Sequence, residues 1–404
     1  MASIKIENLS KIFGSRQAIE KAKTMLNDNH SKEEIVKETG ATVGVNNANL
    51  DIHEGETFVV MGLSGSGKST MLRMLNRLIE PTLGTVYIDG DDVTHASKEK
   101  LRDIRRNKVN MVFQNFGLFP HKTILENTEY GLEIKGKDKD ERKKAATKAL
   151  ENAGLGAYVD QYPDQLSGGM QQRVGLARAL ANDAEIILMD EAFSALDPLI
   201  RRDMQDELVE MQEKMNKTIV FITHDLDEAL RIGDRIALMK DGEIVQVGTG
   251  EEILQNPANG YVERFVENVD RSKVLTAEHA MDRPAVVLNS DKEGARMALR
   301  RMQQEDYSFI LVTDSERHLR GYVREIDAIQ LIQKHEQTKR IDVEDIMRTD
   351  QPVVKLDTTI NEIYDVINHA YMPVSVVDDD NKLRGIISPK MLVNSLVSEG
   401  ENNE

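Results

Sequence analysis

The stretch Gly62-Leu63-Ser64-Gly65-Ser66-Gly67-Lys68-Ser69 decides how the rest of the chain is read. Glycines at this spacing let backbone N–H groups curl around phosphate oxygens at a helix N-terminus, where the dipole favours an anion. Lys68 then reaches the β- and γ-phosphates, and the Ser69 hydroxyl ligates Mg²⁺. The competing reading is a plain Gly/Ser loop, and chance gives this match in a chain of this length on the order of once in a hundred. The context favours the phosphate reading. An apolar run, Thr57 to Met61, precedes the loop, and Met71-Leu72 with Met74-Leu75 follow it at helical spacing.

Further along, Ile186-Ile187-Leu188-Met189 runs into Asp190 and Glu191, the second half of a nucleotide site. Asp190 is expected to hold Mg²⁺ through water, and Glu191 to orient and deprotonate the attacking water. Alone, an Asp-Glu pair at a strand end is usually just solvated; downstream of a phosphate loop it gains meaning. Thr218 to Thr223 is another buried-strand run. From Ile4 to about Gly250 short apolar runs alternate with helical stretches, which predicts an α/β domain around a largely parallel sheet.

Other motifs fall into place around these two. Leu166-Ser167-Gly168-Gly169-Met170-Gln171-Gln172-Arg173 lies with Ser167 23 residues before Asp190. Gln114 closes Met111-Val112-Phe113-Gln114; Ser194-Ala195-Leu196-Asp197 and Thr223-His224-Asp225 follow the carboxylate strand. This ordered set resembles the ATPase cassettes of ABC transporters: signature motif, Q-loop, D-loop and H-loop. The resemblance implies a P-loop NTPase cassette with a RecA-like core, an antiparallel β subdomain and a helical subdomain. It also implies an ATP-binding set of Phe13, Gly62, Ser64, Gly65, Ser66, Gly67, Lys68, Ser69 and Thr70, with Phe13 stacking on adenine. Phe13 as an ordinary core aromatic is the alternative. Glu191, His224 and Gln114 would be catalytic, and Ser69, Gln114 and Asp190 would hold Mg²⁺. Two cassettes would pair head to tail, Ser167, Gly168, Gly169, Gln171 and Asp197 of one facing the nucleotide of the other. A lone cassette of this kind needs a separate membrane permease, expected to dock near Gln114 to Glu126, where Phe116, Leu118, Phe119 and Pro120 would form an apolar cleft.

Residues 15–42 interrupt the cassette. Ala18, Ile19, Ala22, Met25 and Leu26 share one helical face, Asn27-Asp28-Asn29 breaks it, Ser31 with Glu34 makes a capping box, and Gly40 sits at a C-terminal cap. A helical hairpin is predicted. Together with the loop phrase Val60 to Thr70 and a C-terminal duplication, it is similar to the glycine betaine/proline betaine importers of the OpuA and ProV type. The implied role is uptake of a compatible solute under osmotic stress. A methionine or polyamine importer, or a soluble nucleotide sensor without a transport partner, are the alternatives.

The duplication is visible as Ile310 to Val323 recurring as Ser375 to Ile387, with Leu-Arg-Gly at Leu319 and again at Leu383. Each copy reads strand, helix, strand, turn, strand, helix, and at about 60 residues neither can bury much alone, so they should pack together. They resemble a tandem pair of cystathionine-β-synthase (CBS) modules. The usual adenine-nucleotide pattern of such modules is broken in both copies: Arg324 precedes Asp327, and Met391 follows Ser388. The family still allows cyclic di-AMP between the modules of two chains, near His369, Tyr371, Met372 and Pro373. Tyr371 as interdomain core is the competing reading. A second input is salt: Arg296, Arg300 and Arg301 on one helical face, and Lys334, Lys339 and Arg340 between the copies, would attract an anionic membrane surface until salt screens them. A solvated basic face is the plain alternative.

The expected divisions are 1–255 for the cassette, 256–275 for a linker, 276–335 and 340–397 for the two repeats, and 398–404 for an acidic tail. The net charge of −17 disfavours a nonspecific nucleic-acid binder, and the lack of cysteine excludes disulfides and zinc-thiolate sites. No apolar run approaches the roughly 18 residues of a membrane span. The resemblance to ABC cassettes implies a peripheral position at the cytoplasmic face of the cell membrane, on a permease that either carries a fused solute-binding domain or does not.

Overall fold

A computed structural model of the chain describes every residue except 1, 29, 115, 195, 268, 285, 336–340 and 397–404. Asn29 of the predicted breaker, Ala195 of the D-loop, Lys339, Arg340 and the whole acidic tail 398–404 thus lie outside the described residues. The chain divides into two compact units, Met1–Val269 and Asp270–Glu404.

In the first unit a six-stranded sheet runs in the order Glu243–Gly248, Arg235–Lys240, Thr57–Met61, Thr218–Thr223, Ile186–Asp190, Val109–Val112. Neighbours are parallel except at the Glu243–Gly248 edge. Strands Thr57–Met61, Ile186–Asp190 and Thr218–Thr223 are buried at every position, which explains their unbroken apolar runs. The register aligns their ends: Met61 sits opposite Thr223, Asp190 opposite Ile222, Val112 opposite Met189. The segments carrying Gly62, Gln114, Glu191 and His224 therefore all leave the sheet at one carboxyl edge, where open α/β sheets bind ligands.

A second, antiparallel sheet is ordered Thr42–His53, Ala2–Phe13, Leu83–Ile88, Asp91–Asp92. Helix Lys68–Leu75 buries Met71, Leu72, Met74 and Leu75 in a core shared with both sheets. At about 1.5–3 kcal/mol per buried side chain, that packing anchors the loop in front of it. Helices Ile124–Ile134, Lys139–Asn152 and Gly168–Ala181 have their own core of Ile124, Leu150, Val174 and Ala177. All three expected parts of the cassette are present.

Helices Arg16–Asn27 and Lys32–Thr39 form the predicted hairpin. Ser31 and Glu34 make a full capping box, and Gly40 ends the second helix at φ 68°. Ala22 and Ile35 are buried with Ile12, Ala41 and Val43, so the insert rests on the strands it interrupts. The stretch expected as a linker behaves differently. Helix Gly260–Val266 buries Val262 and Val266, and residues 256–269 belong to the first unit.

The second unit holds two three-stranded sheets, Val287–Asn289 with Phe309–Thr313 and Leu319–Arg324, and Val353–Lys355 with Val374–Val377 and Leu383–Ile387. Leu311, Leu319 and Tyr322 of one copy bury against Met372, Val377 and Leu383 of the other. The pairing is reciprocal: Leu319 N–H donates to Asn381 O and Leu383 N–H to Arg317 O, both at 2.9 Å. The lead-in segments are exchanged as well. Leu275, Ala277 and Ala280 join the core of the second copy, while Ile341 and Val343 join that of the first.

Candidate nucleotide-hydrolysis site

Gly67, at φ 99°, ends the loop and opens helix Lys68–Leu75, so the loop's N–H groups face outward at a helix start. Lys68 is buried, and its Nζ donates to Gly62 O at 2.8 Å and Leu63 O at 3.0 Å. Burial lowers its proton affinity below that of an ordinary lysine, against the opposing pull of Glu191 and Asp190. Ser66 is buried with its Oγ unpaired, while its N–H donates to Leu63 O at 3.1 Å. Space around the Cα of Gly65 is open. A triphosphate fits this cradle: it would meet backbone N–H groups at a helix start and an ammonium held at the loop's base.

Asp190 is 1% exposed. Its Oδ1 accepts from Ser69 Oγ at 2.7 Å and its Oδ2 from Arg73 Nη2 at 2.9 Å. Two hard oxygen donors thus already touch, the chemistry a Mg²⁺ ion requires. Glu191 follows in the left-handed region, at φ 48°, uncommon for a non-glycine residue. Its backbone N–H donates to Ile222 O at 3.2 Å, and its side chain accepts from Gln114 Nε2 at 3.0 Å. His224 Nδ1 lies 3.9 Å from the same carboxylate. The sheet therefore gathers Gln114, Asp190, Glu191, His224, Lys68 and Ser69 at one edge.

The signature residues stand apart. Ser167 caps helix Gly168–Ala181, accepting from Met170 N–H, and Ser167 and Gly168 are exposed. Gln171 turns onto its own subdomain, donating to Pro163 O at 2.9 Å and Leu166 O at 3.3 Å. Asp197 caps the next helix through Ile200 N–H. Phe13 is 41% exposed, which removes it from the core, and Lys11 Nζ sits 5.2 Å from its ring centre. Thr70 lies beside Gly44, against which Phe13 packs.

Two residues here were not anticipated. Arg73 secures Asp190; the clue was its place four residues after Ser69, on the same helical face. Arg201 donates to Ser194 O at 3.4 Å and Leu196 O at 3.1 Å, and pairs with Asp225 at 3.5 Å, tying the D-loop to the turn after His224. Nothing in its local sequence announced that.

A cleft of about 300 Å³ opens beside this edge, lined among others by Phe113, Phe119, Tyr130, Ile134 and Arg178. Phe119 packs edge-on against Tyr130 at 4.7 Å. Of the four residues expected to form the cleft, Phe119 lines it, whereas Leu118 packs against the helical core.

In the second unit Tyr371 is 64% exposed and so is not core; its hydroxyl lies 2.9 Å from that of Tyr322 and donates to Asp350 O at 3.2 Å. His369 is exposed and donates from Nδ1 to Asp365 O at 2.9 Å. Asp327 is occupied by Arg324, at 2.7 and 2.9 Å, and by Arg348 at 3.2 Å. Ser388 Oγ accepts from Met391 N–H at 3.3 Å. Lys334 is exposed at the end of its helix. Arg301 does not extend the basic face: it folds inward, donating to Val287 O and pairing with the Glu293 carboxylate.

A phosphate loop, an Asp-Glu strand end and a glutamine and histidine converging on that glutamate define an ABC-type ATPase. Comparison with known proteins agrees. The ABC transporter family matches residues 45–194 and the CBS domain family residues 277–334 and 343–398. Over 398 residues the chain is 56% identical to the glycine betaine transport ATP-binding protein OpuAA of Bacillus subtilis (strain 168), covering 98% of this chain and 93% of that one. It is 54% identical to the glycine betaine/carnitine transport ATP-binding protein GbuA of Listeria monocytogenes serotype 1/2a (strain 10403S), covering 96% of each. A dimeric structure of the ATP-binding cassette MJ0796 in a post-hydrolysis state, bound to ADP and Pi, aligns with TM-score 0.52 at 37% identity over 61% of this chain and 98% of that one. The chain belongs to the ABC-transporter ATP-binding subunits of the glycine betaine/proline betaine type with tandem CBS domains, enzymes that hydrolyse ATP to power transport. Among the described residues no helix is long and apolar enough to cross a membrane.

Proposed function

We propose that this chain energises import of glycine betaine or a related quaternary amine through a separate permease, at the cytoplasmic face of the membrane. The observation that carries the reading is the assembled site, with Ser69 on Asp190 and Gln114 on Glu191, in a chain so similar to OpuAA over nearly its whole length. Phe13 carries the adenine, and the loop N–H groups with Lys68 hold the phosphates. Mg²⁺, held by Ser69 and Gln114 with Asp190 behind them through water, would neutralise phosphate charge when bound. Glu191 takes a proton from water as its oxygen attacks the γ-phosphorus; the bond to the bridging oxygen breaks and ADP leaves. His224, 3.9 Å from the Glu191 carboxylate, steadies the γ-phosphate. Ser167, Gly168 and Gly169 of a second copy close over it, adding backbone donors to the developing charge, with Asp197 near the shared boundary. The cleft at Phe119 and Tyr130 receives a permease helix.

The CBS unit is a regulatory input. Exposed Tyr371 suits stacking on a base of cyclic di-AMP between two chains, and Lys334 with Lys339 and Arg340 suits a salt-dependent hold on anionic lipid. Calorimetric titration of the full chain with cyclic di-AMP, and the salt threshold of a variant with Gln at all three basic positions, test the two separately.

The direct test of function is uptake by proteoliposomes carrying the chain and its permease. Radiolabelled glycine betaine should accumulate with ATP inside, and proline betaine should compete. Competition by methionine or spermidine instead would assign a different solute. Failure to bind any permease would favour a soluble sensor.

A further inference from the structure

The helical insert plays no part in the chemistry above, yet it reaches the nucleotide site. Its ends are pinned together, since Ile12 pairs with Val43 and Phe13 with Thr42 across adjacent strands. From the returning helix, Lys32 extends back and donates from Nζ to Val43 O at 3.2 Å. That carbonyl immediately precedes Gly44, a point where three parts of the site converge. A side chain at Gly44 would meet the Phe13 ring at 2.8 Å and Thr70 at 3.5 Å. A methyl group at Gly67 would overlap Gly44 O. The turn at Gly242 closes the group: its N–H donates to Ser66 O at 2.9 Å, its carbonyl accepts from Asn46 N–H at 2.8 Å, and a methyl group there would overlap both Lys32 Nζ and Gly44 O.

We infer that Lys32 is a positioning residue for ATP, clamping the junction between the adenine platform at Phe13 and the phosphate loop at Ser66 and Gly67. The inference rests on the reading of these two segments as the ATP site. One ammonium spans the Val43 carbonyl and the Asp241–Gly242 turn, and both of those segments bear directly on the loop. The ammonium is half-buried: burial lowers its proton affinity, while Glu243 and Asp241 on the same turn oppose the shift. A hydrogen bond from a charged donor in such a place is stronger than one at the surface. The insert therefore fixes the distance between base and phosphates, a ground-state property that should appear in KM and not in kcat.

The test uses the full-length chain with its permease and compares K32A, G242A and the double variant in steady-state ATP hydrolysis. K32A should raise KM for ATP about fivefold with kcat within about twofold of wild type. G242A should raise KM by pushing Lys32 and the Gly44 carbonyl apart, and the double variant should be less impaired than the two single effects multiplied, because removing Lys32 relieves part of the overlap. Unchanged KM in K32A with an unchanged melting midpoint would overturn the inference. So would equal losses in kcat and kcat/KM, or strictly multiplicative effects. If wild type itself failed to hydrolyse ATP while K32A and wild type bound nucleotide equally, the functional reading would fail along with it; a working wild type and an indifferent K32A would remove the Lys32 role alone.

Discussion

Gln114 Nε2 donates to Glu191 Oε2 at 3.0 Å, joining two strands that lie side by side in the sheet. Phe113, the residue before Gln114, lines the cleft beside it. Q114A should lower kcat about tenfold, the worth of one hydrogen bond to a charged group, with ATP affinity changed far less. Turnover measured at saturating ATP checks this.

D190A should damage structure as well as activity. Asp190 is buried, and Arg73 and Ser69 both depend on it. Losing the bonds from Ser69 and the 41%-exposed Arg73 should cost about 1–2 kcal/mol of cassette stability. Denaturant unfolding followed by a probe in the first unit would register the loss, and R73M in the same background should recover part of it.

Phe13 offers an exposed ring beside the phosphate loop. F13A should raise KM for ATP by up to about tenfold, the value of an aromatic stacking contact, and F13Y should keep wild-type KM. GTP used in place of ATP gives the same ring a second substrate to discriminate.

Glu228 supplies a pH signature. It is buried, and burial raises its proton affinity above the usual glutamate range, against hydrogen bonds from Thr223 and Gln205. A raised folded value means that this group's stabilising contribution is full below the ordinary value near pH 4.3 and is lost as pH climbs through the raised one. E228Q, always neutral, should melt higher than wild type at pH 8, with the gap closing toward about pH 4. A gap that widened on acidification would contradict the assignment.

Much of this was legible locally. The loop at Gly62 to Ser69, the carboxylates after Met189, the Ser31–Glu34 capping box with Gly40, and the repeated Leu-Arg-Gly all announce themselves because spacing alone determines their geometry. What escaped depends on which neighbour a side chain finds in three dimensions. Arg301 shares a helical face with Arg296, yet it folds inward onto Val287 O and Glu293. Residues 256–269 look like a polar linker, and Val262 and Val266 reveal a docked helix only once their partners are known. Lys32 reads as an ordinary helix lysine until the Gly242 turn arrives beside it from the far end of the cassette. The exchange of lead-in segments between the two repeats is likewise a property of the pair and of neither copy alone.

The central claim is that Glu191 activates the attacking water. E191Q in the full-length chain with its permease preserves the size of the side chain and its bond to Gln114 while removing the base. ATP binding should match wild type, and steady-state hydrolysis should fall by roughly 10²–10⁴-fold. Hydrolysis near the wild-type rate would contradict the account.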